Sequence, residues 1–231
     1  MMKIEIEGNP PYEDSEYGRK YRADAFVLLE CMGPHCVDAV VTDPPYGLNI
    51  DNQAWDDGDI HIDWLAYQFG RVTKPKGNVF VFCSDFQFGA WYQELGKYFS
   101  RLQKFVWCKT NPVERQFKKL NRFAESVEFA LHASNPNSYF KLDKEEGIQN
   151  YIKTGICSGN ERVKKSDGKS MHPTQKPMEV MKYILEAITD EGDVILDPFA
   201  GTHTTARAAA ALERYYITND AFPYYWWMPE D

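Results

Sequence analysis

Short apolar runs that stop at polar or turn residues alternate along this chain with segments whose apolar positions recur at helical spacing. That alternation constrains the fold more than any other feature. The runs are Val37 to Thr42, Asn78 to Cys83, Leu102 to Cys108, Ser126 to His132, Asp193 to Leu196 and Tyr215 to Thr218. The helix-like segments are 63–71, 85–98, 177–189 and 204–212, and Gly77, Gly192 and Gly201 punctuate the connections. Strands alternating with helices predict an α/β fold, a mostly parallel sheet covered on both faces. With 231 residues, one core is expected, hence a single domain over 1–231. Residues 111–172 break the pattern: apart from Ser126 to His132 they are polar, basic and without periodicity, and read as loops projecting from the sheet.

Nothing in the chain approaches the roughly 18 to 20 apolar residues of a membrane span, and Lys3 to Glu7 alternates where a signal peptide would be unbroken. A soluble, cytoplasmic protein is expected. Five scattered cysteines fit reduced thiols better than a disulfide framework. Cys31, His35 and Cys36 lack the second ligand pair that a zinc site needs, so no metal is expected.

The net charge of −8 is unevenly spread. Residues 1–63 hold fourteen acids against four bases, whereas Arg101 to Arg122 carries seven bases against Glu114 alone. Positive charge clustered in an acidic protein is either a solvated face or a nucleic-acid contact.

Two segments carry chemistry. In Val40-Val41-Thr42-Asp43-Pro44-Pro45-Tyr46 an apolar strand ends on an acid, two prolines and an aromatic ring. Prolines have no backbone N–H, so a carboxylate, a free carbonyl and a stacking ring are left together. They suit a planar ring bearing an amino group, such as a flipped-out base: Asp43 and the Pro44 carbonyl would accept its amino hydrogens and Tyr46 would stack on it. A proline turn with a buried tyrosine is the plain alternative. Asn9-Pro10-Pro11-Tyr12 has the same shape but follows an edge-like segment, whereas Asp43 ends a buried strand, where open α/β sheets place their ligands.

In the second segment, Asp193 to Thr205, a strand meets a tight turn and an alanine-rich helix. Gly201 permits close backbone approach, Thr204 opens the helix, and Asp220 follows Asp197 by 23 positions, about the spacing at which an acid meets ribose hydroxyls in a doubly wound sheet.

Asp43-Pro44-Pro45-Tyr46, a basic variable region, His172-Pro173-Thr174-Gln175-Lys176-Pro177 and Asp197-Pro198-Phe199-Ala200-Gly201, in that order, resemble the β class of DNA amino-methyltransferases over about Tyr21 to Asp220. The resemblance implies a circularly permuted, Rossmann-like class I methyltransferase sheet. It implies S-adenosylmethionine as cofactor, DNA as partner and an exocyclic base nitrogen as methyl acceptor, as in restriction-modification systems. By the same resemblance Asp197, Phe199, Gly201 and Thr204 form the cofactor turn, and Asp220 meets the ribose. Asp24, in Arg22-Ala23-Asp24-Ala25, accepts from the cofactor's adenine unless it only caps a helix. Thr174, Lys176 and Pro177 lie beside the methionine end, with Lys176 pairing its carboxylate. An acid at the first tetrapeptide position favours adenine N6 over cytosine N4.

The region 111–170 then falls where the family keeps target recognition. Arg115, Lys118 and Lys119 are assigned to phosphate contacts, and the shortness of the region implies a brief or loosely defined site. Two departures stand out. His203 replaces the second glycine of the family's turn, so either the loop takes a conformation open to any residue or cofactor binding suffers. The chain also carries Phe222, Tyr224, Tyr225, Trp226 and Trp227 after Asp220, which pack on the core or form a homodimer contact. The competing readings are an inactive DNA-binding relative and an RNA or protein amide methyltransferase. The latter is disfavoured because Gly201 follows Asp43 by 158 positions, the reverse of the amide enzymes' order.

Overall fold

The computed structural model describes residues 10–47, 60–112, 123, 125–141, 147–164, 168 and 175–221. Expectations for Lys3 to Glu7, Asn9, Arg115, Lys118, Lys119, Thr174 and Phe222 to Trp227 lie outside the described residues.

The chain runs β1 (Glu13–Asp14), β2 (Gly18–Tyr21), α1 (Ala25–Cys31), β3 (Val37–Thr42), α2 (Ile62–Val72), β4 (Thr73–Cys83), α3 (Asp85–Leu95), β5 (Arg101–Lys109), β6 (Val127–Ser134), β7 (Tyr151–Thr154), α4 (Met178–Ile188), β8 (Val194–Asp197), α5 (Thr204–Ala211) and β9 (Tyr215–Asn219). The strands form one sheet in the order β1-β2-β9-β8-β3-β4-β6-β5-β7. The five strands from β2 to β4 in that order are mutually parallel; β6 runs antiparallel to both its neighbours.

Burial explains why these segments become these elements. Val37, Ala39, Val40 and Val41 in β3 are fully buried, the continuous apolar run of a central strand covered on both faces. In α2, Leu65, Ala66, Phe69 and Val72 fall on one helical face and join α1, α3 and one side of the sheet in a first core. Val180, Met181, Ile184, Leu185 and Ile188 of α4 pack with the alanines of α5 on the other side, in a second core.

Three expectations are corrected. β4 starts at Thr73, not Asn78, because its register against β3 slips between Val37↔Thr73 and Ala39↔Asn78. The slip absorbs Lys74-Pro75-Lys76-Gly77, a stretch whose proline and glycine hid the strand start, and Lys74 Nζ pairs with Asp38 at 2.8 Å. The helix expected over 85–98 ends at Leu95, with Gly96 as its cap. Residues 111–172 are not loops alone: besides β6, buried between β4 and β5, Tyr151–Thr154 adds a parallel edge strand to β5. No β7 residue is buried, so no apolar run announced it. Among the described residues, no helix is long and apolar enough to cross a membrane.

Candidate active site

From β3 the chain proceeds to β4 on one side, whereas from β8, the neighbour of β3, it proceeds to β9 on the other. Such a reversal opens a crevice at the carboxyl ends of the two strands, where open α/β sheets hold ligands. Both singled-out motifs end there. Asp43 follows the last residue of β3, and Asp197 is the last of β8. A buried bridge joins them: Thr42 Oγ1 donates to Asp197 Oδ1 at 2.8 Å, Thr205 Oγ1 to Oδ2 at 2.5 Å, and the Phe199 amide to Oδ1 at 3.2 Å. Burial pushes the Asp197 carboxyl up to about 7 against these donors. Asp197 therefore organises the turn from beneath, with both oxygens taken by protein groups.

At the end of β3 the acid-Pro-Pro-Tyr segment folds on itself. Tyr46 donates its hydroxyl proton to Asp43 Oδ1 at 2.7 Å, which fixes the ring, and Gln87 Nε2 donates to the Pro45 carbonyl at 3.1 Å. Gln87 reaches it from the first turn of α3, which Ser84 caps by accepting from the Gln87 amide at 3.3 Å.

Lys176, expected beside the cofactor's carboxylate, also reaches the acid of the tetrapeptide: its Nζ donates to Asp43 Oδ2, and lies 3.2 Å from Glu128 Oε2. An ammonium only 7% exposed needs anionic partners, and two are built into the same cluster. Glu128 in turn pairs through Oε1 with Lys109 at 2.7 Å, so two acids and two bases form a neutral chain. The Lys176 ammonium also faces the rings of Phe82 at 4.9 Å and Tyr46 at 5.8 Å. Burial raises the Asp43 pKa above the usual carboxylate range, with Lys176 pulling it down and Glu128 pushing it up. Burial also pushes Glu128 up, but Lys176 and Lys109 together hold it below its ordinary value. Burial works against the charge on Lys176, and Asp43 and Glu128 more than restore it.

On the other side of the bridge lies the turn after β8. The Gly201 amide, at φ 49°, donates to Asp220 Oδ2 at 2.8 Å, which holds a partly buried carboxylate at the mouth of the turn. Asn219 ties the Arg22-Ala23-Asp24 segment to the same place. Its Nδ2 donates to the carbonyls of Ala23 at 2.9 Å and Pro198 at 3.2 Å, and its Oδ1 accepts from the Ala23 amide at 2.9 Å. Asp24 is thereby brought to the turn, where it caps α1 by accepting from the Phe26 amide at 2.8 Å. The segment before α4 is pinned by Gln175, which accepts from the Val163 amide and donates to the Glu161 carbonyl, both at 2.9 Å. Pro177 caps α4, and Thr204, buried, opens α5. Phe199 packs partly buried against the first core.

His203 keeps the conformation that a glycine favours at this place in the turn. Its backbone is left-handed, φ 54° and ψ 35°, so the loop has not become open to any residue. The ring compensates. Nε2 lies 2.9 Å from the Tyr12 hydroxyl and Nδ1 3.0 Å from Thr218 Oγ1, while burial drops the imidazole to about 3 and keeps it neutral. Tyr12 thus belongs to the turn, with the Arg22 guanidinium 4.2 Å above its ring. Tyr12, Gln87, Lys109, Glu128 and Asn219 escaped the sequence reading of the site; an acid or amide isolated in a strand or helix carries no local signal. Among the described residues, no three His, Cys, Asp or Glu side chains converge as a metal site, and His35 Nδ1 meets the Thr73 carbonyl at 2.9 Å.

A family model described as "DNA methylase" matches residues 37–226. The type II methyltransferase M2.LlaDCHI of Lactococcus lactis subsp. cremoris is 30% identical over 91% of this chain and 87% of its own length. The type II methyltransferase M.HinfI of Haemophilus influenzae is 27% identical over 85% of this chain, which spans 62% of that longer protein. Among solved structures, the M1.HpyAVI–SAM complex superposes with a TM-score of 0.66 at 26% identity, covering 89% of this chain and 94% of the other. The cytosine-N4-specific PvuII DNA methyltransferase shares the fold, with a TM-score of 0.76 at 19% identity over 94% of this chain and 86% of its own.

Proposed function

The chain belongs to the DNA methylase family, and from that premise we propose that it transfers a methyl group from S-adenosylmethionine to the N6 amino group of adenine in DNA. The observation that carries the reading is the Thr42–Asp197 bridge at 2.8 Å, which ties a two-acceptor amino-group site to the glycine turn of a nucleotide site.

The residues present fit the cofactor. Asp220, held by the Gly201 amide and only partly buried, is the acceptor a ribose diol requires. Asp24, brought alongside by Asn219, can take an adenine amino group through the lone pairs its cap bond leaves. Phe199, Thr174 and Pro177 are assigned to its remaining surface. Bound there, S-adenosylmethionine supplies an electrophilic sulfonium methyl.

The protein's own part is alignment and electrostatics. The amino nitrogen is a poor nucleophile while its lone pair is delocalised into the ring. Asp43 and the Pro44 carbonyl, accepting its two hydrogens, draw it toward tetrahedral geometry. A sulfonium methyl bound in line would supply the carbon for that lone pair and keep its bonding electrons on sulfur, and Asp43 would take the one amino proton that the nitrogen must lose. Tyr46 and Pro45 hold the segment in shape for this. The region 111–170, from which β6 and β7 join the sheet, supplies target recognition, with Arg115, Lys118 and Lys119 on phosphates. Adenine is preferred to cytosine because an acid stands first in the tetrapeptide.

The test is transfer of labelled methyl to unmethylated DNA followed by digestion to nucleosides. N6-methyladenine is expected. N4-methylcytosine would overturn the base, and no transfer together with no cofactor binding would leave a DNA-binding protein built on this fold.

A further inference from the structure

Asp43 does not face the crevice alone. It is the end of a chain of side chains, Lys109, Glu128, Lys176 and Asp43, whose charges alternate and whose members are 16%, 21%, 7% and 27% exposed. The links come from four places in the sequence: the last residue of β5, the second residue of β6, the segment before α4 and the end of β3. Its two middle members are each shared, Lys176 between Asp43 and Glu128 and Glu128 between Lys176 and Lys109, so a change at one end alters how strongly Lys176 is drawn to Asp43 at the other.

We propose that Glu128 is a positioning residue for methyl transfer: by sharing Lys176 with Asp43, and by being shared itself with Lys109, it sets how strongly Asp43 accepts the hydrogens of the target amino group. This deepens the proposed function and rests on Asp43 being that acceptor. Without Glu128 the full charge of Lys176 falls on Asp43, and the carboxylate becomes a weaker acceptor and a weaker base. Without Lys109, Glu128 leans harder on Lys176 and Asp43 becomes a stronger base. The two substitutions therefore act in opposite directions on the same carboxylate, which general damage to the fold would not produce.

The other groups around Asp43 are the Tyr46 hydroxyl on its own segment, the Cys83 thiol of β4 and Asp197 of β8. Asp85 and Lys104 in turn face Cys83. All of these stay in place in both variants.

The experiment is single-turnover methyl transfer by the full chain, followed from about pH 5 to about pH 9, for wild type, Glu128→Gln and Lys109→Met. Cofactor binding is measured on the same preparations. Glu128→Gln is expected to lower the plateau rate about tenfold and to move the acidic limb down by about one pH unit, and Lys109→Met to move that limb up. Limbs that coincide with wild type, or that shift in the same direction, overturn the proposal. Should Glu128→Gln fail to fold, the direction of the Lys109→Met shift decides alone. Asp43→Asn separates this from the underlying reading: wild-type turnover there removes Asp43 as acceptor, whereas an inactive Asp43→Asn beside unmoved limbs removes only the role of Glu128.

Discussion

His203→Gly restores the glycine usual in the family's turn, and on backbone grounds it should help: a left-handed non-glycine residue costs about 1 kcal/mol, the low end of the range because His tolerates this region better than bulkier residues. The ring argues the other way. Removing it breaks two hydrogen bonds, to Tyr12 and Thr218, at about 1 kcal/mol each, and leaves the Thr218 hydroxyl buried without that partner. The imidazole is 4% exposed, so truncation also opens a cavity, which costs about 2 to 3 kcal/mol in a site that cannot collapse. The balance is a destabilisation of about 3 kcal/mol, read in urea as a lower midpoint with unchanged slope, and as a Tm lower by about 6 to 12 °C for a chain of this size. Because the folded imidazole stays neutral down to about pH 3 while the unfolded one takes up a proton below about pH 6.5, only wild type loses stability on acidification, and the deficit should be smaller at pH 6 than at pH 8 by about 1 kcal/mol. A His203→Gly protein as stable as wild type, or more so, would show that backbone strain outweighs the ring contacts.

Other outcomes follow from the same site. Asp43→Ala should abolish methyl transfer while calorimetric binding of S-adenosylmethionine survives, since Asp43 lies across the Thr42–Asp197 bridge from the turn; near-normal turnover would remove it from the chemistry. Asp197 is raised to about 7 in the fold, so the folded protein holds its proton more tightly than the unfolded chain. Its stabilising contribution is complete below the unfolded value near pH 4 and disappears as pH rises through about 7. The loss, about 3 kcal/mol by linkage between pH 5 and pH 8, should be absent in Asp197→Asn when urea midpoints at those two values are compared. Replacing Arg115, Lys118 and Lys119 together by alanine should weaken DNA binding and flatten the slope of log affinity against log salt by about 3; an unchanged slope would take these residues off the phosphates.

The legible parts of this fold are those where burial forces a pattern. β3 must be apolar throughout because helices cover both its faces, and α4 must repeat its apolar residues because only one stripe meets the sheet. Where the structure imposes no such pattern the sequence is silent. β7 lies on an edge, where only Ile152 packs against the second core and backbone pairing to β5, which any side chain allows, holds the strand. The start of β4 was hidden for a related reason: the slipped register against β3 admits a proline and a glycine that a regular central strand would reject.

The site divides along similar lines. Asp43-Pro44-Pro45-Tyr46 could be read because one short segment supplies an acid, a free carbonyl and a ring, and the turn at Gly201 because the backbone there takes a left-handed φ. The fate of the charges could not. Seven bases between Arg101 and Arg122 suggest a surface for DNA, yet Lys109 is spent on Glu128, 19 positions away and on the next strand, and the resulting pair steadies Lys176 against Asp43, 133 positions from it. A basic residue reads the same in sequence whether it meets a phosphate or a buried carboxylate. What separates the two is the cost of burial: an ammonium 16% exposed must find its anion inside the fold. Lys109 is thereby assigned inward, whereas Arg115, Lys118 and Lys119 of the same stretch stay proposed for the DNA backbone. Mutating Lys109 should therefore move the pH profile of the reaction and leave the salt dependence of DNA binding alone, while mutating the other three should do the reverse.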